Sequence, residues 1–370
     1  MKKKNINPAL QALRGLMALM IAIGHSLLLF SIGGVNNLYE RQFLDLPKNE
    51  AVLAQLLRTI FNGSAAVAFF FVLSGYLVNH SLNEKKFNIK TIIDYCLKRI
   101  LRIYPIYLIS LLVSGIYISY FHTYKTHSLA SKWYLMWFNF KLTPRLIIDH
   151  LFFTNTAMNT VAWALGPIIV FSLLAPFFYF IFKRTSIKLN TIVIVILIIS
   201  TYLIKQSDLT RYLFSFCIGL ALPKFSKVFK NIINYSKINI QLAGLCAIVI
   251  LLFARPMFLR SEILVKLIES ISISLIIYLV VNHNTFFVNR IGQNRIMIFF
   301  GKISYSFYLL NFLIIYIITN FFLKAGISYL ANTYLILISL LIGLLSIIVT
   351  TPIAYLMHEA IEKNFLSRKK

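Results

Sequence analysis

The chain has 370 residues, of which 59% are hydrophobic and 13% charged, about half the charged share of a soluble globular protein. That composition excludes a soluble enzyme, a disordered chain, a coiled coil and a collagen-like fibre, and leaves an all-α, polytopic integral membrane protein. The net charge of +26 comes from 37 Lys and Arg against 11 Asp and Glu. These cations fall in short stretches between apolar runs, so they read as topology signals and contacts to anionic membrane lipids rather than as a nucleic-acid surface.

Ten apolar segments follow in chain order, near Ala9–Phe30, Ile60–His80, Ile103–Phe121, Trp163–Phe182, Leu189–Ile204, Leu209–Leu222, Ile238–Ala254, Leu264–Val281, Ile298–Asn320 and Thr333–Met357. Most reach the ~20 residues that cross a ~30 Å hydrocarbon core. The fifth and sixth are short and read as a tight hairpin around Lys205 to Asp208. With the N-terminus inside, 22 of the 37 Lys and Arg lie on the cytoplasmic side and 13 on the far side. The positive-inside rule therefore predicts about ten transmembrane helices with both termini cytoplasmic. Lys2–Lys4 resemble a signal n-region, but Arg14 interrupts the apolar run and no small-residue cleavage site follows Phe30, so the first helix is expected to stay. A single membrane domain over 1–370, without an internal repeat or an appended soluble domain, is expected. The outer loops Ser31–Thr59 and His122–Ala162 are long enough to shape a site.

Polar residues at membrane depth are costly and tend to carry function. In the first helix Arg14 and His25 are eleven residues apart, roughly 20° beyond three full turns, so both side chains share one stripe about 16 Å apart along the axis. The plain alternative is a snorkelling arginine and a histidine bonded to a backbone carbonyl. The three cysteines, Cys96, Cys217 and Cys246, have no metal-ligand spacing. No G-x-S-x-G elbow, metal set or Walker loop is present. Asp149 and His150 are adjacent and would point about 100° apart on a helix, so they form no ready dyad. His80, His283 and His358 lie near cytoplasmic helix ends, where headgroups would solvate them. His122 and His127 are loop residues.

Several further stretches carry a pattern. They are Leu13-Arg14-Gly15-Leu16 leading to Gly24-His25-Ser26, Phe69-Phe70-Phe71-Val72-Leu73-Ser74-Gly75-Tyr76, and Lys98-Arg99-Ile100-Leu101-Arg102-Ile103-Tyr104-Pro105. Ala162-Trp163-Ala164-Leu165 with Phe171 and Pro176 follows, and then Gly301-Lys302-Ile303-Ser304-Tyr305-Ser306-Phe307-Tyr308-Leu309-Leu310. In this order they resemble the membrane acyltransferase-3 family, with its L-R-G-x-A opening and R-x10-H pair, F-F-x-x-S-G-[FY], R-x-x-R-x-x-P, T-W-S-L-x-x-E and G-x-I-S-Y-x-x-Y-L-x-H blocks. The chain departs twice: the family Glu falls on Ile168 and the final His on Asn311. Either the acceptor pocket would then differ, or the acid lost at Ile168 would come from elsewhere, such as Asp149.

The resemblance implies an O-acyltransferase of the bacterial inner membrane. It would take an acyl group, usually from acetyl-CoA on the cytoplasmic side, to a hydroxyl of an envelope glycan on the far side. His25 and Arg14 would be catalytic, His25 as general base or acyl carrier. The phosphates of CoA call for clustered cations, and Arg99 with Arg102, i, i+3 neighbours on one helix face, supply them together with Lys98 and Arg14. Without the resemblance Lys98, Arg99 and Arg102 read as ordinary positive-inside charge. Ser74, Trp163, Tyr305, Tyr308 and Asn311 are candidates for the acceptor side or for structure. For Ser74 the plain reading is close helix packing, and for Trp163 an interfacial anchor. No metal is expected. The competing class is a transporter or flippase of a polysaccharide or its lipid-linked precursor, which would more naturally show inverted repeats and broken midplane helices. A structural assembly subunit is a third reading, and it predicts no intramembrane ionisable pair.

Overall fold

A computed structural model describes residues 7–83, 88–121, 127–138, 140–204, 208–232, 236–258, 261–324 and 334–363. Lys2–Lys4, His122, Lys205 and the basic run after Lys363 lie outside these residues. The described chain is helical, and its only β pairing is a pair of isolated bridges. In order, the helices are α1 (Pro8–Ser26), α2 (Asn49–Ile60), α3 (Gly63–Asn83), α4 (Ile89–Tyr120), α5 (Lys132–Leu135), α6 (Pro144–Leu151) and α7 (Leu165–Arg184). They continue with α8 (Ile187–Leu203), α9 (Asp208–Ile232), α10 (Lys237–Phe258), α11 (Glu262–Asn282), α12 (Arg295–Lys324) and α13 (Leu335–Met357).

Among the described residues, 9 helical segments are long and apolar enough to cross a membrane. The tenth apolar helix, α8, has 17 residues and falls short of that length. It corresponds to the shortened fifth segment expected from sequence. The protein is a multi-pass membrane protein.

Three boundaries differ from expectation. The third span was expected from Ile103, yet α4 begins at Ile89. Asn88 caps it, its Oδ1 accepting from Thr91 N at 2.8 Å, which satisfies an otherwise orphan donor of the first turn. The extra turns present Ile89, Ile93, Leu97 and Leu101 as an exposed apolar stripe at four-residue spacing, a pattern that suits a helix against lipid. Lys98, Arg99 and Arg102 lie within this helix, in keeping with the helical spacing expected for Arg99 and Arg102. The stretch Ser31–Thr59, expected as an outer loop, is likewise not a plain loop. It contains two 3-10 turns, Leu38–Glu40 and Phe43–Asp45, and most of α2. The stretch after Phe121 carries α5, α6 and the 3-10 segment Ala157–Ala164.

The chain forms two compact units, each interleaved along the sequence. One comprises Met1–Met17, Ser64–Ile100 and Ala164–Lys302, the other Ala18–Gly63, Leu101–Trp163 and Ile303–Lys370. In the first unit Phe71 of α3 stacks on Tyr212 of α9 at 4.4 Å and packs with Phe171 of α7, which in turn meets Phe216. Two glycine contacts set how closely its helices approach. A Cβ on Gly301 would lie 1.9 Å from Gln11 O, and one on Gly15 would lie 2.3 Å from Met297 O. The glycine of the Arg14-Gly15 stretch and the glycine opening the Gly301 block thus face each other's backbones. Gly75 and Gly219 do the same between α3 and α9, with hypothetical Cβ atoms 2.0 Å from Phe216 O and 1.9 Å from Val72 O. Small residues permit this approach where lipid removes the hydrophobic drive for helix association. Of the Ser74-Gly75 pair, Gly75 makes this close helix contact. In the second unit the core is aromatic, with Tyr107, Phe138 and Phe307 fully buried.

Gly301→Leu should force α1 and α12 apart, since overpacking costs about 1–3 kcal/mol or more. The yield of monodisperse protein after detergent extraction should drop sharply, while Leu344→Ala on the exposed face of α13 should leave it unchanged.

Candidate functional site

The site begins where α1 ends. Beyond Ser26 the chain tightens, with Leu28 N bonding to His25 O at 3.1 Å and Leu29 N to Ser26 O at 3.3 Å. It then runs antiparallel to the stretch 127–138. Phe30 bridges Ala130, Ser31 N donates to Leu129 O at 2.9 Å, and Ser131 N donates to Leu29 O at 2.9 Å. Ser131 binds in both directions. Its Oγ donates to Leu28 O at 2.5 Å and accepts from Tyr134 N at 2.9 Å, so one hydroxyl both ties the loop to α1 and caps α5.

This stitching lays α5 against His25. The Trp133 indole stacks on the imidazole at 5.7 Å and 30°, and Phe312 of α12 meets it edge-on at 5.3 Å and 77°. Trp137 packs edge-on against Trp133 at 5.8 Å and against Phe312 at 6.0 Å. Among the described residues the buried Nε1 of Trp137 has no hydrogen-bond partner, so a donor is held inside the aromatic cluster. Arg58 of α2 lies within electrostatic reach of His25. Arg58 is oriented by donating Nη1 to Leu38 O at 2.7 Å and to Gln55 Oε1 at 3.0 Å, and its guanidinium lies 5.5 Å from the Tyr39 ring centre. His25 is thus a half-buried imidazole held by tertiary contacts on two sides.

The other expected cations are placed as follows. Arg14, half-buried on α1, donates to Gln11 Oε1 at 3.4 Å. Lys98 is exposed, and Arg99 lies over the Tyr95 ring at 5.3 Å. Arg102, on the other unit, is within electrostatic reach of Glu362 and Tyr305. Glu362 is buried in a single π-helical turn, His358–Glu362, a distortion often found at functional positions. It accepts from Ser306 Oγ at 2.5 Å and Ser306 N at 3.3 Å, and pairs with His358 Nδ1 at 3.1 Å. His358 was expected to be solvated by headgroups and is instead paired with this carboxylate.

A family model for the acyltransferase domain, acyltransferase-3, matches residues 7–359. The chain belongs to the acyltransferase-3 family. No curated protein and no solved structure matches it.

In this acyltransferase the remaining candidates act as tethers in the structure. Tyr305 donates its hydroxyl to Ile103 O at 2.7 Å, and Tyr308 to Val161 O at 2.8 Å. Asn311, at the position where the family pattern has His, donates to Ser346 Oγ at 3.2 Å and Thr350 Oγ1 at 3.3 Å, joining α12 to α13. Its neighbour Phe312 is the residue that reaches His25. Trp163 is half-buried in the Ala157–Ala164 segment, and Ile168 is half-buried in the first turn of α7. Asp149 closes a turn, its carbonyl accepting from Thr154 N and Oγ1 at 3.0 and 2.9 Å.

His150 is a pinned histidine. Its Nε2 accepts from Met158 N at 2.8 Å, so Nδ1 carries the proton and donates to Leu146 O at 2.6 Å, while its carbonyl accepts from Tyr107 OH at 2.9 Å. Burial disfavours the charged ring and holds its pKa below the ordinary 6.5, and the Met158 bond likewise requires the neutral ring. Its contribution to stability is therefore complete above about pH 6.5 and is lost as the pH falls toward the lowered value. The melting temperature of the wild type in detergent should fall below pH 6.5 relative to His150→Gln, and the two curves should run parallel above it.

Two features escaped sequence reasoning. Trp133 and Trp137 are two of the chain's three tryptophans, and their i, i+4 spacing in an outer loop was the available signal. The second is an ion network in the first unit. Lys266, counted from sequence as an outer loop charge, is buried one turn into α11 and donates to Glu269 Oε2 at 2.7 Å and Ser64 Oγ at 2.5 Å. Ser64 Oγ reaches Glu269 Oε1 at 3.2 Å, and Arg255 Nη1 reaches Ser64 Oγ at 3.4 Å. Glu262 then pairs with Arg211 at 3.1 Å, and Arg211 with Asp208 at 3.6 Å. The i, i+3 spacing of Lys266 and Glu269 inside an apolar run was legible and was read only as topology.

Removing one member of a buried pair strands the other, at about 3–5 kcal/mol. Lys266→Met should lower the melting temperature markedly, and Lys266→Met with Glu269→Leu should recover most of the loss.

Proposed function

We propose that this acyltransferase moves an acyl group, most readily acetyl, from acyl-CoA at the cytoplasmic face of a bacterial inner membrane to a hydroxyl of an envelope glycan at the far face. O-antigen, capsule and exopolysaccharide are the acceptor classes, and the chain would act as one membrane domain with both termini cytoplasmic. The observation that carries this reading is His25, fixed between Trp133 and Phe312 at the end of α1 by the loop that Ser131 ties down. A base must be held in one orientation to be useful, and general base catalysis from such a group contributes typically 10²–10⁴-fold.

In the reaction the acceptor oxygen attacks the thioester carbonyl, the C–O bond forms and the C–S bond breaks. His25 takes the hydroxyl proton and returns it to the departing CoA thiolate, so no proton is gained or lost overall. Arg14 binds donor phosphate or orients the thioester carbonyl, and Lys98, Arg99 and Arg102 hold the remaining phosphates. Glu362 keeps Arg102 in place by charge. Trp137, half-buried, would offer an aromatic face to a sugar ring, while Trp133 is engaged in holding His25. Membership in the acyltransferase-3 family weighs against the transporter reading.

The test is glycan acetylation in cells at matched protein levels. His25→Gln should abolish transfer while expression, membrane insertion and acetyl-CoA binding stay near wild type, because Gln cannot accept a proton near pH 7. Full transfer by His25→Gln would overturn the mechanism.

A further inference from the structure

The first unit holds a cavity of about 240 Å³ among the C-terminal turns of α3 and α11 and the middle of α9. Its wall includes Tyr76, Asn79, His80, Asn83, Tyr278 and Asn282. No lining residue is a carboxylate, a lysine or an arginine. The polar groups are amides, phenols, an imidazole and the Ser226 hydroxyl. His80, expected only to meet headgroups, forms part of this wall.

One end of each amide is committed to the fold. Asn79 Nδ2 donates to Leu220 O at 2.7 Å, and Asn282 Nδ2 donates to Tyr278 O at 2.9 Å. Asn83 Oδ1 accepts from Tyr179 OH at 3.2 Å. The amide ends not engaged in these bonds are two acceptors, Asn79 Oδ1 and Asn282 Oδ1, and one donor, Asn83 Nδ2. Neutral edge groups in a fixed pattern beside aromatic rings are what a planar nitrogen heterocycle requires. An amino-purine fits best, since its exocyclic amine donates two hydrogen bonds and its ring nitrogens accept. The volume is below the roughly 300–1,000 Å³ that encloses a drug-sized ligand, so it takes one portion of a larger molecule. Exposed Lys227 and Lys230 follow on α9 and would add positive charge to that of Arg14, Lys98, Arg99 and Arg102 for the phosphates.

We propose that this cavity receives the adenine ring of the acyl-CoA donor. The inference rests on the donor assignment made above, and it places the recognition of the nucleotide end in the first unit.

The experiment measures binding of acetyl-CoA, acetyl-pantetheine and adenosine 3′,5′-bisphosphate to purified full-length protein, wild type and Ser226→Trp, whose indole would fill the cavity. Ser226→Trp should weaken acetyl-CoA at least tenfold, abolish binding of the bisphosphate and leave acetyl-pantetheine unchanged. Equal acetyl-CoA affinity in the two proteins would overturn the cavity assignment and leave the donor reading standing. Failure of the wild type to bind acetyl-CoA would overturn both. Photolabelling of the wild type with 8-azidoadenosine 3′,5′-bisphosphate keeps the inference open to test if the variant misfolds. Label on α3, α9 or α11 peptides around the cavity supports it, and label confined to other helices overturns it.

Discussion

Lipid offers no hydrogen bonds, so every polar group at membrane depth must find its partner inside the protein. That constraint explains most of what is unusual in this chain. Hydroxyls within the helices fold back onto carbonyls one turn earlier, as Ser270, Ser274, Thr319 and Ser339 do. Asn311 turns its amide to Ser346 and Thr350, and Lys266 and Glu269 share Ser64. Each device leaves the lipid-facing surface apolar and moves polarity inward, where helices can be joined and chemistry can be done.

The same constraint gives the candidate site its form. An imidazole at the end of a membrane helix needs walls that exclude lipid and hold its orientation. Here the walls are aromatic rings delivered by a loop and by α12. The loop is held by backbone hydrogen bonds to the chain that immediately follows His25, so its position depends on few side chains besides Ser131. Main-chain pairing of this kind gives the imidazole a rigid setting.

The helical architecture was legible because it follows from apolar length and cation placement, both local properties. The early start of α4 was not, since its first turns carry enough charge to look like a loop and their apolar stripe has four-residue spacing that a hydropathy window averages away. His25 could be singled out because its spacing from Arg14 is a property of one helix. Trp133 could not be assigned to it, because the Ser131–Leu28 bond that brings them together spans 103 positions in sequence. Glu362 was hidden for a related reason: its value lies in Ser306 and Arg102, which sit on other helices. Asn311 shows the reverse, a position marked by sequence pattern whose side chain turns toward α13 while its neighbour faces the histidine.

The ion network of α9, α10 and α11 has an electrical consequence. Arg211, Arg255 and Lys266 are matched by Asp208, Glu262 and Glu269, so in their ionised forms the group sums to zero. A lone charge in a membrane responds to voltage by about 2.3 kcal/mol per 100 mV. A neutral cluster that moves as a body feels no net force, whatever its depth. These six residues therefore contribute no net gating charge as long as they move together.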